Sequence, residues 1–508
     1  MTSPWTKKPK TKKREKVEET LTKAKEIESG AIYESAFEWR FEFPEVLNEQ
    51  GDFVGFDVVI GNPPYMRIQE IEKTQPLEKI HYEQIYLSTK GAFDLANLFF
   101  ELAVNVSSKT ANNAYIFPHK FLNADSGTAF RDYLIHCKYI DKLAHFGANM
   151  VFDSADTYTC IALFSQQQNE GISFQRFPFK SDFTELLSDE SKFQFLSYQS
   201  IQNASALYGA NNWLLFDSEV GFSAFEKMYQ QQATIHSKFE DIFQGIATSK
   251  DELYILEVLA ETANTYQVNV PIDNRTIEVE KQFFKPFLMG KEVQRYGLLQ
   301  PKAVVFFPYQ LEKQLAVITE AELQINYPLT HAYVKFYEKE FKARESGKAA
   351  KLSCWYAYIY PKNLNKFEQP KLSSMEICAS RPNVTLNFEN NYHTTKVYSW
   401  VKKQSTKEDY RFFVAIANSS LMWWFLKNTG DTLQGDARTF KTNYLNPFPL
   451  PENASEAVQK PLIELVDKVL AAKQNNTDTS KLEAEVDAMV YALYGLTDDE
   501  IKLIESVT

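Results

Sequence analysis

Glycine is scarce, 17 of 508 residues, which excludes a collagenous chain. The four cysteines, Cys137, Cys160, Cys354 and Cys378, stand far apart with no CxxC pair, and there are only 7 histidines. No zinc ribbon, iron–sulfur motif or disulfide framework is therefore legible, and the cysteines read as reduced thiols. No apolar run approaches the ~20 residues that span a bilayer. The basic amino terminus MTSPWTKKPKTKKREK lacks the apolar stretch of a secretory signal. A cytoplasmic location is expected. Basic residues are outnumbered, 55 Lys and Arg against 66 Asp and Glu, for a net charge of −11. Such a balance disfavours a polyanionic partner on average, but in a long chain one basic cleft can coexist with acidic outer faces. Composition leaves the partner open.

What is abundant is aromatic: 39 Phe and 27 Tyr, a composition that excludes disorder. The length suggests roughly three domains of ~150 residues. Residues 1–30 are charged and poor in apolar side chains, and read as a solvated arm or linker. From 31 the texture changes. After the aromatic-rich AIYESAFEWRFEFPEV, the run Phe56 to Ile60 is short and β-branched, as expected of a buried parallel strand. Gly61 and Pro63–Pro64 stop it abruptly. FDLANLFFELAVNV (93–106) has helical periodicity. NAYIFPHKF reads as a strand running into a loop, SGTAFRDYLIHC as a helix, and IDKLAHFG and TYTCIALFSQ as strands. Alternating strands and helices predict an α/β layer over 31–180.

Residues 181–235 connect. Over 236–450 short aromatic strands (KAVVFFPY, CWYAYIYP, NVTLNF) between Pro, Asn and charged turns predict a separate α+β domain. Over 451–508 the chain turns helical, with Leu462, Ile463, Leu465, Val466, Val469 and Leu470 on one apolar face. Ser480 with Glu483, and Thr497 with Glu500, predict two capping boxes.

One tetrapeptide carries chemistry: Asn62-Pro63-Pro64-Tyr65, directly after the apolar strand. Ligands of open parallel sheets bind at the carboxyl ends of strands. A loop with two prolines is stiff and has few amide donors. The Asn62 carboxamide oxygen and the Pro63 carbonyl can each accept one proton of an exocyclic amino group, and the Tyr65 ring can stack on a planar base. A proline-terminated strand with a core tyrosine is the bland alternative; the context FDVVIG before the motif and the α/β pattern after it favour the clamp.

FDVVIGNPPY resembles the catalytic motif of amino-group methyltransferases that use S-adenosylmethionine, especially the gamma-type adenine-N6 DNA methyltransferases of type II/IIG restriction–modification systems. KGAFDLANLFFELA (90–103) is similar to the helix after that motif, and NAYIFPHKFL (113–122) to the next strand and its loop. FGANMVFDSADTYTCIALF (146–164) is similar to the segment whose aromatic packs on the flipped base, which implies that role for Phe152. Phe99 matches a residue lining the cofactor's adenine pocket, with Asn62 also at the cofactor. GIATSKDELYIL (245–256), FFKPFLMGKEVQRYGL (283–298), YPKNLNKFEQPKL (360–372) and ANSSLMWWFLKNTGDT (417–432) resemble the C-terminal target-recognition domain, and VDAMVYALYGLTDDEIKLIE (486–505) the helical tail.

The resemblance implies an α/β fold: a partial Rossmann-like methyltransferase sheet, then an α+β target-recognition domain and a helical tail. It implies Asn62, Pro63, Pro64 and Tyr65 as catalytic, base flipping, no metal, and double-stranded DNA as partner. Near turns of the recognition stretch, Lys250, Lys291, Arg295, Arg438 and Lys441 are candidate DNA contacts, each as readily a solvated surface charge.

One departure from the family is clear. Its glycine-rich cofactor loop belongs on a strand well upstream of the motif, and the 61 residues before Asn62 contain no Gly-x-Gly. The chain is therefore expected to need a partner carrying an N-terminal cofactor-binding half. Two alternatives remain: a non-catalytic DNA-binding specificity subunit that retains the motif, and a methyltransferase of RNA or of protein glutamine, against which the long aromatic segment after the motif weighs.

Overall fold

The computed structural model describes residues 20–22, 25, 37, 39–152, 157–182, 187, 189–209 and 211–507. The 1–30 arm, apart from Thr20–Thr22 and Lys25, and residues 153–156 of the segment containing Phe152 lie outside the described residues.

The first module is a six-stranded sheet made of β1 (Phe56–Gly61), β2 (Ser107–Pro118), β3 (Ile140–His145), β4 (Thr159–Phe164), β5 (Gly171–Arg176) and β6 (Gln194–Ser197), in the order β1-β2-β4-β3-β5-β6. β1 runs parallel to β2, and β3 to β5, while β4 is antiparallel to both β2 and β3. The carboxyl ends of β1, β2, β3 and β5 therefore share one edge.

One face of this sheet is packed. The helices Leu95–Val106, Thr128–Cys137 and Tyr198–Tyr208 bring Phe100, Phe130, Leu134, Tyr198 and Ile201 onto Phe117, Cys160, Ala162 and Phe174. Phe100 stacks on Phe164 with ring centroids 3.9 Å apart. Near β3 and β5 the other face is covered by Phe146, Phe177 and Phe193. Towards β1 it is bare.

This corrects the expectation of a buried strand at Phe56–Ile60. Among the described residues β1 is one of the two edge strands, and Val58 and Ile60 are 56% and 77% exposed. Its composition is that of an interior strand, but no described strand pairs with its outer edge and no described element covers that face. Two glycines bracket it. Gly55 has φ +85° and lies so close to the Ser107 backbone that a Cβ would meet it at 2.5 Å; a Cβ on Gly61 would meet the Tyr115 ring at 2.7 Å. At the amino end, Trp39, Phe43 and Phe56 pack ring on ring, with centroids 5.3–5.8 Å apart.

The second module is built around two larger sheets. A four-stranded antiparallel sheet (Phe239–Gln244, Lys371–Met375, Val384–Asn387 and Val397–Lys402) shares a core with the helices Tyr410–Ala417 and Ser420–Thr429 and the tail helices Glu456–Gln474, Ser480–Leu493 and Asp498–Glu505. A six-stranded sheet from Ile255–Glu261 to Tyr392–His393 has its own aromatic core.

CWYAYIYP forms turns rather than the expected strand. The buried Arg344 guanidinium donates to the carbonyls of Trp355 and Ala357 at 2.8 Å each, and the Tyr356 and Tyr358 hydroxyls donate to Ile318 and Phe306 at 2.7 Å each. Tertiary partners thus take up groups that a strand ladder would use. The Thr497–Glu500 capping box forms, whereas the Ser480 one does not. Helix Ser480–Leu493 starts one residue earlier than a Ser480 cap requires, and the Glu483 carboxylate instead accepts from Thr479 Oγ1 at 2.6 Å and is ion-paired with Arg295, whose Nε lies 2.7 Å away. No described helix is long and apolar enough to cross a membrane.

Candidate active site

The loop Asn62–Tyr65 leaves the carboxyl end of β1 and is tied down on both sides. Upstream, β1 pairs with β2 through Gly61 beside Tyr115. Downstream, Ile68 N donates to Phe93 O at 3.0 Å and Leu95 N to Met66 O at 2.9 Å. The motif thus sits between a strand end and the start of the helix Leu95–Val106. Burial raises the Asp94 carboxyl above its ordinary value, against the pull of Arg67 and Lys120.

Within the loop Pro63 is buried, while Asn62 and Pro64 are exposed. No described residue engages the Asn62 carboxamide or donates to the Pro63 carbonyl. Two acceptors without a described partner therefore follow the strand end, and each is a group that can take one proton of an exocyclic amine. Tyr65 is half-buried; its hydroxyl donates to Ile116 O at 3.3 Å, and burial and the nearby Cys160 push it up to about 12. The phenol is held neutral and its ring fixed.

Phe152 lies half-buried in the loop that follows β3, at the same sheet edge as the motif. Phe99 is half-buried against the packed face of the sheet. The five candidate DNA contacts differ in their surroundings. Arg295 is paired with Glu483 at 2.7 Å and Lys441 with Glu376 at 3.4 Å. Arg438 is only 4% exposed and bonds Asp436 at 2.9 Å, while Lys250 is half-buried and Lys291 exposed.

Sequence reasoning missed the polar groups that hold this edge. Glu101, 5% exposed, accepts from Leu87 N at 3.0 Å and Ser88 N at 2.9 Å, fixing the segment after the motif to the helix. Its signal was available: a charge on the apolar face of a helix. His119 and His145 stack with centroids 4.1 Å apart at the ends of β2 and β3. Burial, followed by the Arg176 and Arg438 charges, brings His119 down to about 3. Nothing in the sequence announced that pair.

Among the described residues upstream of β1 there is no glycine-rich loop following a strand, so these residues do not by themselves make a complete site for S-adenosylmethionine. There Trp39 and Phe43 pack as an aromatic knot on Phe56, and no described element covers Val58 and Ile60.

Residues 3–152 match the family described as Eco57I restriction-modification methylase, and residues 285–450 the TaqI-like C-terminal specificity domain. The type II restriction enzyme and methyltransferase RM.Eco57I of Escherichia coli is 24% identical over 487 residues, covering 89% of this chain and 48% of that protein. The type II methyltransferase M.AccI of Acinetobacter calcoaceticus is 24% identical over 249 residues, covering 46% of this chain and 45% of that one. The chain spans about half the length of these curated relatives. In fold it is similar to the type IIL restriction–modification enzyme MmeI, solved in complex with DNA. There the TM-score is 0.52 and the identity 14%, over 89% of this chain and 56% of that one.

Proposed function

From the premise that the chain carries an Eco57I-type restriction–modification methylase region and a TaqI-like C-terminal specificity domain, we propose that it is the target-binding and catalytic part of an adenine-N6 DNA methyltransferase. The observation that carries this reading is the pair of unengaged acceptors, Asn62 carboxamide and Pro63 carbonyl, at the carboxyl end of β1. An adenine turned out of the duplex places its amino group between them. Each acceptor takes one N–H, which orients the nitrogen lone pair away from the loop and stabilises positive charge as it grows on N6. Tyr65 stacks on the base, with its hydroxyl anchored to Ile116, and Phe152 closes on the other side. Lys250 and Lys291 contact the duplex.

S-adenosylmethionine is the methyl donor of this reading, supplying a methyl group on a good leaving group. Its binding half is contributed from outside these residues, by a separate chain or by another part of a longer polypeptide, and seats on the bare side of β1.

The test follows transfer of labelled methyl from S-adenosylmethionine to duplex DNA. One arm uses the chain alone, the other adds a segment bearing a strand, a glycine-rich loop and a helix. N6-methyladenine is expected only in the second arm, and not with Asn62→Ala. Transfer by the chain alone would overturn the missing cofactor half, and methylation of cytosine would overturn the adenine assignment.

A further inference from the structure

Between the two modules lies an open cleft of ≈ 430 Å³, lined by three cations of separate origin. Arg176 ends β5 of the catalytic sheet, Lys427 sits in the last turn of the helix Ser420–Thr429, and Arg438 lies in the short strand Arg438–Thr439. Asp217 and Asp436 also line it. Both Asp436 carboxylate oxygens are already taken, one by Arg438 at 2.9 Å and the other by Lys427. Asp217 stands 3.9 Å from Arg176, and burial raises its carboxyl. The lining therefore carries an excess of positive charge that its own carboxylates do not absorb.

Arg438 makes the point at the level of atoms. Its side chain is 4% exposed, and its Nη1 donates to Asp436 and to the carbonyls of Asp436 and Ala437 at 2.9–3.0 Å. Its Nε has no partner and no described acceptor takes its Nη2; Arg176 donates through Nη1 to Asn428 Oδ1 at 3.0 Å and through Nη2 to Leu215 O at 2.7 Å, which leaves its Nε unpartnered. The unpaired Nε–Nη2 edge of a guanidinium is the fork that receives two oxygens of a phosphate. Buried donors left without partners are costly, so this edge calls for an acceptor, and an anion fits it. Lys427 reports the same field: burial, then the Arg438 and Arg176 charges, bring its amine down to about 7, and a bound anion restores its proton.

We propose that this cleft binds a phosphate group of the DNA backbone, contacted jointly by Arg176, Lys427 and Arg438. The proposal rests on the DNA-methyltransferase reading and adds to it a contact across the seam of the two modules. Arg176 lies at the same sheet edge as Asn62, four strand spacings away, about 19 Å. A duplex that delivers a base to Asn62–Tyr65 while touching the specificity domain passes this seam, with a phosphate available every ~3.4 Å along each strand.

The test measures duplex-DNA affinity of the full chain between 50 and 200 mM salt, for wild type, Lys427→Gln, Arg176→Gln, Lys427→Arg and, as a remote control, Lys481→Gln. Loss of one phosphate contact lowers the log–log salt slope by about 0.9. Wild type should therefore weaken about 3.5-fold more than Lys427→Gln or Arg176→Gln over this range. Lys427→Arg and Lys481→Gln should keep the wild-type slope, and matched thermal melts show that each variant is folded. Wild-type slopes in both Gln variants, with DNA binding intact, overturn the phosphate site alone. No DNA binding by wild type overturns the parent reading and this proposal with it. A second arm adds inorganic phosphate without DNA. Thermal stabilisation of wild type that is lost in Lys427→Gln, with unchanged DNA slopes, assigns the cleft to a free anion and overturns the DNA source.

Discussion

Asn62 and Tyr65 differ in how the protein holds them, and the difference sets what each substitution does. Asn62 is exposed and has no described partner, so its carboxamide adds little to stability. Tyr65 is anchored through its hydroxyl to Ile116 O and packs against the sheet. Tyr65→Ala should weaken binding of the flipped base by about 1–3 kcal/mol, the usual worth of base–aromatic stacking, and Tyr65→Phe should be mild. Methylation of an adenine-containing duplex by the completed enzyme reads this out; equal activity of Tyr65→Ala and wild type would remove the stacking role. Glu101 belongs to the same scale. Its identity as a buried acceptor for Leu87 and Ser88 was hinted at by a charge on an apolar helix face, but its partners lie 13 and 14 residues away in the chain and no local pattern names them.

Among the elements, β1 carries the tension. FDVVIG has the composition of an interior strand, yet Val58 and Ile60 face solvent and the outer backbone edge has no described partner. Unpaired strand edges and apolar patches promote association, so the isolated chain should self-associate in proportion to concentration. Ile60→Lys removes little buried surface and puts a charge on the patch. It should shift the chain towards monomer in light scattering, with an unchanged melting temperature. Association that is indifferent to Ile60→Lys would place the sticky surface elsewhere. The tail helices behave oppositely. Two of their buried carboxylates are matched by cations of the second module, Asp487 by Arg381 at 2.7 Å and Glu483 by Arg295 at 2.7 Å, and the tail helices share that module's core.

For the whole molecule, buried neutral imidazoles make stability depend on pH. Burial foremost brings His119 and His393 down to about 3, and His145 well below its ordinary 6.5. Unfolded, each titrates near 6.5. The unfolded chain therefore binds more protons below that value, so stability is fully present above 6.5 and falls as the pH drops towards the folded values. Each such group removes up to ~1.4 kcal/mol per pH unit, about 4 kcal/mol for the three between pH 7.5 and 5.5. Thermal melts should move to lower temperature across that interval, less so in His393→Gln; a melting temperature flat from 7.5 to 5.5 would contradict burial of the neutral rings.

The sequence by itself determined what short-range chemistry encodes. The β-branched run before Asn-Pro-Pro-Tyr, the helix from Leu95, the strands IDKLAHFG and TYTCIALFSQ, and the Thr497–Glu500 cap all follow from periodicity and turn residues within a few positions. Only the tertiary structure decided which of those strands is an edge, because exposure of Val58 and Ile60 depends on which other strands pair and pack nearby. Tertiary contacts likewise turned CWYAYIYP from strand into turns, since Arg344 and distant carbonyls claim its polar groups. The cleft of Arg176, Lys427 and Arg438 was equally invisible: 251 residues separate Arg176 from Lys427 in the numbering. Only the packing of helix Ser420–Thr429 against the edge of the six-stranded first sheet brings their charges into one field.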